Sequence, residues 1–223
     1  MNNMEYTDKE YCLEIWGDWA CFTRPELKVE RVSYPVITPS ACRAIFEAIL
    51  WKPAIAWQIH KIEVLKPIEW LSIRRNEVGK KMSKMPFYID DNRQQRASLL
   101  LKNVAYRIYA DFTMTEKAGK EDNYKKFAEM FARRAKKGQC VYQPYLGCRE
   151  FSAFFEFVEL DDNQHPILNK SQFTPISQNQ DFGFMLYDID FSDINNPEPM
   201  FFHAKMLEGQ ITIPSVESDE VKR

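Results

Sequence analysis

Thr38-Pro39 marks the start of a helix whose surroundings leave few folds open to the chain. A threonine hydroxyl can accept from the free N–H groups of a first helical turn, and proline suits the first helical position, where no N–H is needed. Behind them Cys42, Ile45, Phe46 and Ile49 recur at helical spacing and form one apolar stripe, closed by Trp51-Lys52-Pro53. Before this helix, Tyr11, Leu13 and Ile15 alternate with Cys12, Glu14 and Trp16, which is the period of a strand. After it, Ile55, Trp57 and Ile59, then Ile62 and Val64, predict a long strand with a bulge where the phase shifts. A helix with one apolar face, set between two strands, needs a sheet to lie on.

The same order then recurs. Val104, Tyr106, Ile108, Ala110 and Phe112 predict a strand. A helix follows from about Glu121 to Lys137, with Tyr124, Phe127, Ala128, Phe131 and Ala135 on one face, basic residues in its last turn and Gly138 as its stop. Phe151 to Leu160 predicts another strand. Between the two halves, Pro67, Pro86 and the polar runs RRNEVGKKMSK and DDNRQQR predict a projecting hairpin or mobile insertion at about 66–98. Residues 1–160 therefore read as an α+β, ferredoxin-like (RRM-like) β-α-β-β-α-β domain with an inserted hairpin. Residues 161–223 read as a β-rich C-terminal extension, with strands at Gly183–Phe191 and Phe201–Ile213, a hairpin turn at Glu208-Gly209, and a disordered tail SVESDEVKR.

Charge is unevenly distributed along this order. Residues 151–223 hold 4 Lys and Arg against 13 Asp and Glu, whereas residues 1–150 hold 26 against 19. A basic front and an acidic back fit a polyanion bound on one side, although an arrangement of solvated faces would also produce them. The polar start MNNMEYTDKE has no apolar signal core, and no apolar run is long enough to span a membrane, so a cytoplasmic location is expected. Five cysteines without a CxxC pair favour reduced thiols over a disulfide framework or a zinc site.

The loop between the first strand and the first helix carries Arg24, Lys28 and Arg31 with Ser33, Phe22 and Tyr34. Cations interleaved with aromatics suit a strand of phosphates with bases to stack; a solvated loop is the plain alternative. No P-loop, dinucleotide fingerprint, HExxH or GxSxG is present, and His60, His165 and His203 lie far apart in sequence. The second helix places Lys125, Lys126, Arg133, Arg134, Lys136 and Lys137 off its apolar face. The last turn of any helix favours cations, but that reason does not extend to Lys125 and Lys126. Metal-free RNA cleavage needs a base for the 2′-hydroxyl, a donor for the leaving 5′-oxygen and a cation for the phosphate, and a lysine can fill the last role.

The runs GDWACFTRPELKVERVSY, EAILWKP, RRNEV, NRQQRA and LGCREF, in this order from about Tyr11 to at least Ile213, resemble the CRISPR-associated proteins of the RAMP superfamily that process precursor crRNA in subtype I-C (Dvulg) systems. The resemblance implies an endoribonuclease that cuts precursor crRNA in its repeat without a metal or cofactor. It implies too that the protein stays on the 5′ handle as a subunit of the interference complex, beside other CRISPR subunits. Some relatives bind duplex DNA, which is carried as a further partner. Arg24, Lys28 and Arg31 then stand in the handle-gripping loop, with Tyr34 beside it, Arg93 and Arg96 in the insertion, and Arg149 in the counterpart of the superfamily's glycine-rich loop, which here keeps one glycine, Gly147. The family's Tyr or His before W-K-P is Leu50 here, and its Lys-His pair is Lys126-Phe127. Lys126 with Lys125 is thus the candidate catalytic set, with Tyr34 and Tyr124 as further groups that can substitute. The two replacements point to the alternative of a non-catalytic scaffold that binds the crRNA handle.

Overall fold

The computed structural model describes residues 9–27, 29–169 and 173–223. The alternating run at the N-terminus forms β1 (Tyr11–Ala20), and two residues of the basic loop form β2 (Arg31–Val32). Helix α1 (Pro39–Ile49) begins where the cap predicts, with the Thr38 hydroxyl accepting from the Ala41 N–H at 3.3 Å. Its stripe Cys42, Ile45, Phe46 and Ile49 is buried. Strand β3 (Ile55–Val64) shifts register between Ile59 and Lys61, which places the bulge at His60.

The expected insertion is a hairpin, but not a separate one. Its first limb is β4 (Glu69–Val78); its second is the N-terminal half of β5 (Arg93–Met114), a strand of 22 residues. The predicted central strand and the second limb of the predicted insertion are thus one strand, turned at Asn103, whose φ of 52° lies in the left-handed region that Asn tolerates better than most residues. Helix α2 (Tyr124–Lys136) starts after Asn123, whose side chain accepts from the Lys126 N–H at 2.9 Å, so it begins three residues later than expected. Four strands complete the chain: β6 (Phe154–Val158), β7 (Gln180–Asp190), β8 (Glu198–Leu207) and β9 (Gln210–Thr212).

The strands lie in the order β6-β1-β5-β3-β9-β8-β7, with β2 and β4 added to β5; the β2–β5 pair is parallel and the others are antiparallel. The result is a mixed α/β architecture of a mostly antiparallel sheet and two helices. Both helices cover one face, because Phe46 of α1 stacks on Phe131 of α2 at 5.4 Å and both rest on Trp57. Tyr11 meets Phe131 edge-on at 5.2 Å and lies against Phe112, so five aromatic rings fuse the helices to the sheet. Each such pair adds about 0.5–1.5 kcal/mol beyond its buried area.

The other face holds a buried charge network. Arg107 is fully enclosed and donates to Glu14 at 2.8 Å, to Glu63 at 2.6 Å and to the Phe173 carbonyl. Tyr109 donates to Glu63 at 3.1 Å, and Lys61 lies 3.2 Å from the same carboxylate. The tail also departs from expectation: Phe201 and Lys222 exchange two backbone hydrogen bonds of 2.8 Å, and Arg223 pairs with Asp190 at 3.2 Å. Backbone pairing to β8 supplies the order that its polar composition did not announce. Arg43 of α1 is clamped by Asp188 at 2.8 and 2.9 Å and by Glu47, so part of the acidic C-terminal charge is spent on holding the basic half. Among the described residues, no helix is long and apolar enough to cross a membrane.

Candidate nucleic-acid interface and catalytic residues

The candidate residues fall into two groups. The first lies at the base of the β4–β5 hairpin. Alternation along RRNEV puts Arg75 and Glu77 on one face of β4, and the antiparallel register sets Arg75 directly opposite Arg96. Two facing cations would repel, but Glu77 lies 3.2 Å from Arg75 and 3.5 Å from Arg96. Arg31, on the neighbouring β2, reaches the same Glu77 at 3.6 Å and Glu150 at 3.2 Å, and Glu150 accepts from Arg75 at 2.6 Å. Three arginines thus share two carboxylates, which leaves the cluster one positive charge in excess. Arg75 was not among the residues read from the sequence as binding. The signal for it was present in the Arg-x-Glu spacing of a strand, but the partner strand that completes the cluster is not legible without the register.

Arg24, earlier in the same loop, makes other contacts. Arg24 spreads its guanidinium over the Tyr34 ring at 4.9 Å and lies 3.8 Å from Glu26. Tyr34 itself is 2% exposed, so the expectation of an open stacking ring is corrected: its face is taken by Arg24 and its body by the core. Lys28 lies outside the described residues. Arg93 is paired with Asp90 at the far end of the hairpin, and Arg149 is exposed in the loop after Gly147. Gly147 has φ of +83°, and a Cβ there would stand 2.1 Å from the Cys21 carbonyl oxygen. The single glycine therefore serves close approach of this loop to the end of β1.

The second group is at the start of α2. Lys126 Nζ lies 2.8 Å from Asp122, and its ammonium holds the Asp122 carboxyl below the usual carboxylate range, aided by the Gly119 N–H and by Lys52. Lys125 lies 3.8 Å from Glu129. Both lysines line a shallow depression with Asn123, Glu129, Met130 and Arg133. Tyr124 stacks on Phe112, and its hydroxyl oxygen is 3.5 Å from the Met114 N–H. Neither Leu50 nor Phe127 reaches this surface: Leu50 is 0% and Phe127 2% exposed, and both belong to the core. The Leu50 carbonyl accepts from the Trp57 indole at 2.9 Å, which ties the end of α1 to the sheet. Lys125 and Lys126 thus share one surface, and none of Arg24, Arg31, Arg75 and Arg96 is among the residues that line it. Among the described residues no three His, Cys, Asp or Glu side chains converge as a metal site.

Residues 10–214 match the family model Cas_Cas5d, described as CRISPR-associated protein (Cas_Cas5). The chain belongs to the Cas5d family. A relative from Mannheimia succiniciproducens, named CRISPR pre-crRNA endoribonuclease Cas5d, is 52% identical over 95% of this chain and 97% of its own length. A relative of the same name from Thermus thermophilus is 42% identical over 95% of this chain and 94% of its own. Among solved structures, a crystal structure titled CRISPR-associated protein and that of a functionally uncharacterized protein, SMU1763c from Streptococcus mutans, each align with a TM-score of 0.69 at 20% identity, covering 96% of this chain and 97% of theirs. These two support the fold of a Cas5d chain and nothing about its chemistry.

Proposed function

We propose that this Cas5d protein is an endoribonuclease that cuts precursor crRNA within the repeat, by attack of the RNA's own 2′-hydroxyl, and then stays on the 5′ handle as a subunit of the type I-C interference complex. The observation that carries the reading is the near full-length identity of 52% and 42% to relatives named as pre-crRNA endoribonucleases. The scaffold suits it. The strand order β6-β1-β5-β3, with both helices on one face, supports reading this part of the chain as a ferredoxin-like β-α-β-β-α-β unit extended by β7 to β9. In this reading the arginine cluster and Arg24 hold phosphates, Arg149 and Arg93 extend the track, and Lys126 with Lys125 meets the charge that develops on the scissile phosphate.

A second reading, a handle-binding scaffold without cleavage, is favoured by the burial of Leu50 and Phe127. One experiment separates the two: single-turnover incubation of the protein with its own repeat RNA in excess chelator. A product ending in a 2′,3′-cyclic phosphate, absent when the cut-site nucleotide is 2′-deoxy, supports the nuclease. Tight binding with intact RNA after prolonged incubation supports the scaffold.

A further inference from the structure

The loop that carries Gly147 ends on a thiol in an unusual setting. Cys148 Sγ lies 3.7 Å from Arg31 Nη1, 3.9 Å from the Thr23 hydroxyl and 3.6 Å from the Cys21 carbonyl. Cys21, at the end of β1, is buried, and its own Sγ is 3.5 Å from the same Thr23 hydroxyl. The Thr23 hydroxyl thus lies within reach of both sulfurs, and Cys148 Sγ sits over the backbone carbonyl of Cys21. Backbone contacts hold the pair in place: Cys21 N–H donates to the Leu146 carbonyl at 3.0 Å, and Gly147 presses against the Cys21 carbonyl. Cys148 is half-buried and reachable from solvent, whereas Cys12, Cys21 and Cys42 are buried.

We propose that Cys148 is a nucleophilic, oxidant-sensitive modification site and that Cys21 is its resolving partner. A thiolate rather than a thiol is the reactive form, and it is stabilised by donors and by positive charge. Here the neighbours are the Cys21 thiol, the Thr23 hydroxyl and the Arg31 guanidinium; together they lower the Cys148 thiol to about 6. The opposing groups are burial, Glu150 on its own loop and the Cys21 carbonyl, which accepts from the Cys148 S–H, while Arg75 and Glu77 of β4 face the cluster from the hairpin. The partner that would carry the chemistry is a hydroperoxide. The Cys148 thiolate attacks one peroxide oxygen, the O–O bond breaks, a sulfenic acid forms, and the leaving alkoxide or hydroxide takes a proton from water. The Cys21 sulfur then attacks the sulfenic sulfur, its proton leaves with the departing hydroxide as water, and the S–S bond closes. The two cysteines lose two electrons and the hydroperoxide gains them. Closure removes the sulfur charge that Arg31 faces and leaves Glu77 and Glu150 as its counter-charges.

The test uses the full chain and does not depend on nuclease activity. Peptide mapping after brief iodoacetamide treatment at pH 6.5 should show Cys148 labelled on the order of tenfold faster than N-acetylcysteine in the same tube, the larger thiolate fraction outweighing its weaker intrinsic nucleophilicity. The rate should level off near pH 7, and Arg31→Ala should move that midpoint upward. Hydrogen peroxide should yield a Cys21–Cys148 linked peptide that dithiothreitol reverses, and Cys21→Ser should instead give a dimedone adduct at Cys148. A labelling rate that keeps rising to pH 9 like the free thiol's overturns the nucleophile, and this is read on wild-type protein whether or not the variants fold. Rapid labelling with neither the linked peptide in wild type nor the dimedone adduct in Cys21→Ser overturns the redox pair.

Discussion

Lys126 can lend its charge to a phosphate only by leaving Asp122, and the exchange is cheap because the pair is solvent-exposed. Lys126→Ala is therefore expected to slow repeat cleavage on the order of 10²-fold while leaving the affinity for repeat RNA within about threefold, as measured by single-turnover cutting beside filter binding. Loss of binding in parallel with cutting would reassign Lys126 to a phosphate contact. His60, at the bulge of β3, has its Nε2 2.9 Å from Asp111, and that carboxylate pushes the imidazole above its ordinary value. A raised folded-state value means the pair stabilises fully below the unfolded value of about 6.5 and that this is lost as pH rises through the folded one. The difference in Tm between wild type and His60→Gln should be larger at pH 5.5 than at pH 8.5; a difference independent of pH would show that the ring acts by packing alone.

At the level of elements, the hairpin base is where β2, β4, β5 and the loop after Gly147 meet, and ion pairs join them beside the backbone ladders. Arg31, Arg75 and Arg96 are held in position by two carboxylates, which in the proposed RNA-binding role would leave little ordering to do. Replacing Arg24, Arg31 and Arg96 with Ala should weaken repeat-RNA binding and flatten the slope of log affinity against log salt by about 0.7 for each single-strand phosphate contact removed. A salt titration with an unchanged slope would take this surface out of the RNA path. The capped start of α1 matters for a different reason: it fixes the direction in which the chain leaves the basic loop. Thr38→Ala should cost about 1 kcal/mol in urea unfolding, and a cost near zero would mean that Pro39 and the buried stripe alone set the helix start.

On the scale of the whole molecule, the two faces of the sheet are stabilised differently. The helix face is an aromatic core; the opposite face encloses Arg107 between Glu14 and Glu63. Removing the cation strands two carboxylates away from water, so Arg107→Ala should lower stability by about 3–5 kcal/mol, read from the urea midpoint. Replacing Arg107, Glu14 and Glu63 together with Met and Leu residues should recover much of that loss, since the cost lies in the unpaired charge; equal instability of the single and triple variants would contradict this account.

The elements were legible in the chain because each carries its own local periodicity. Period two gave the strands around Leu13 and Ile108, helical spacing gave α1 and α2, and the phase slip between Ile59 and Ile62 gave the bulge. Leu50 and Phe127 were also visible as apolar residues at positions where the family resemblance implies polar ones, and both are buried. What depended on contacts between distant segments was not legible. That Arg75 completes a cluster with Arg31 and Glu150, that the polar tail pairs with Phe201, and that Cys148 rests on Cys21 each require two segments far apart in sequence to meet. Side-chain periodicity reports which face of an element is apolar, whereas register and loop closure decide which neighbour that face receives. The helices and strands were thus fixed locally, and the groupings of charged and sulfur-bearing side chains were decided by the tertiary structure.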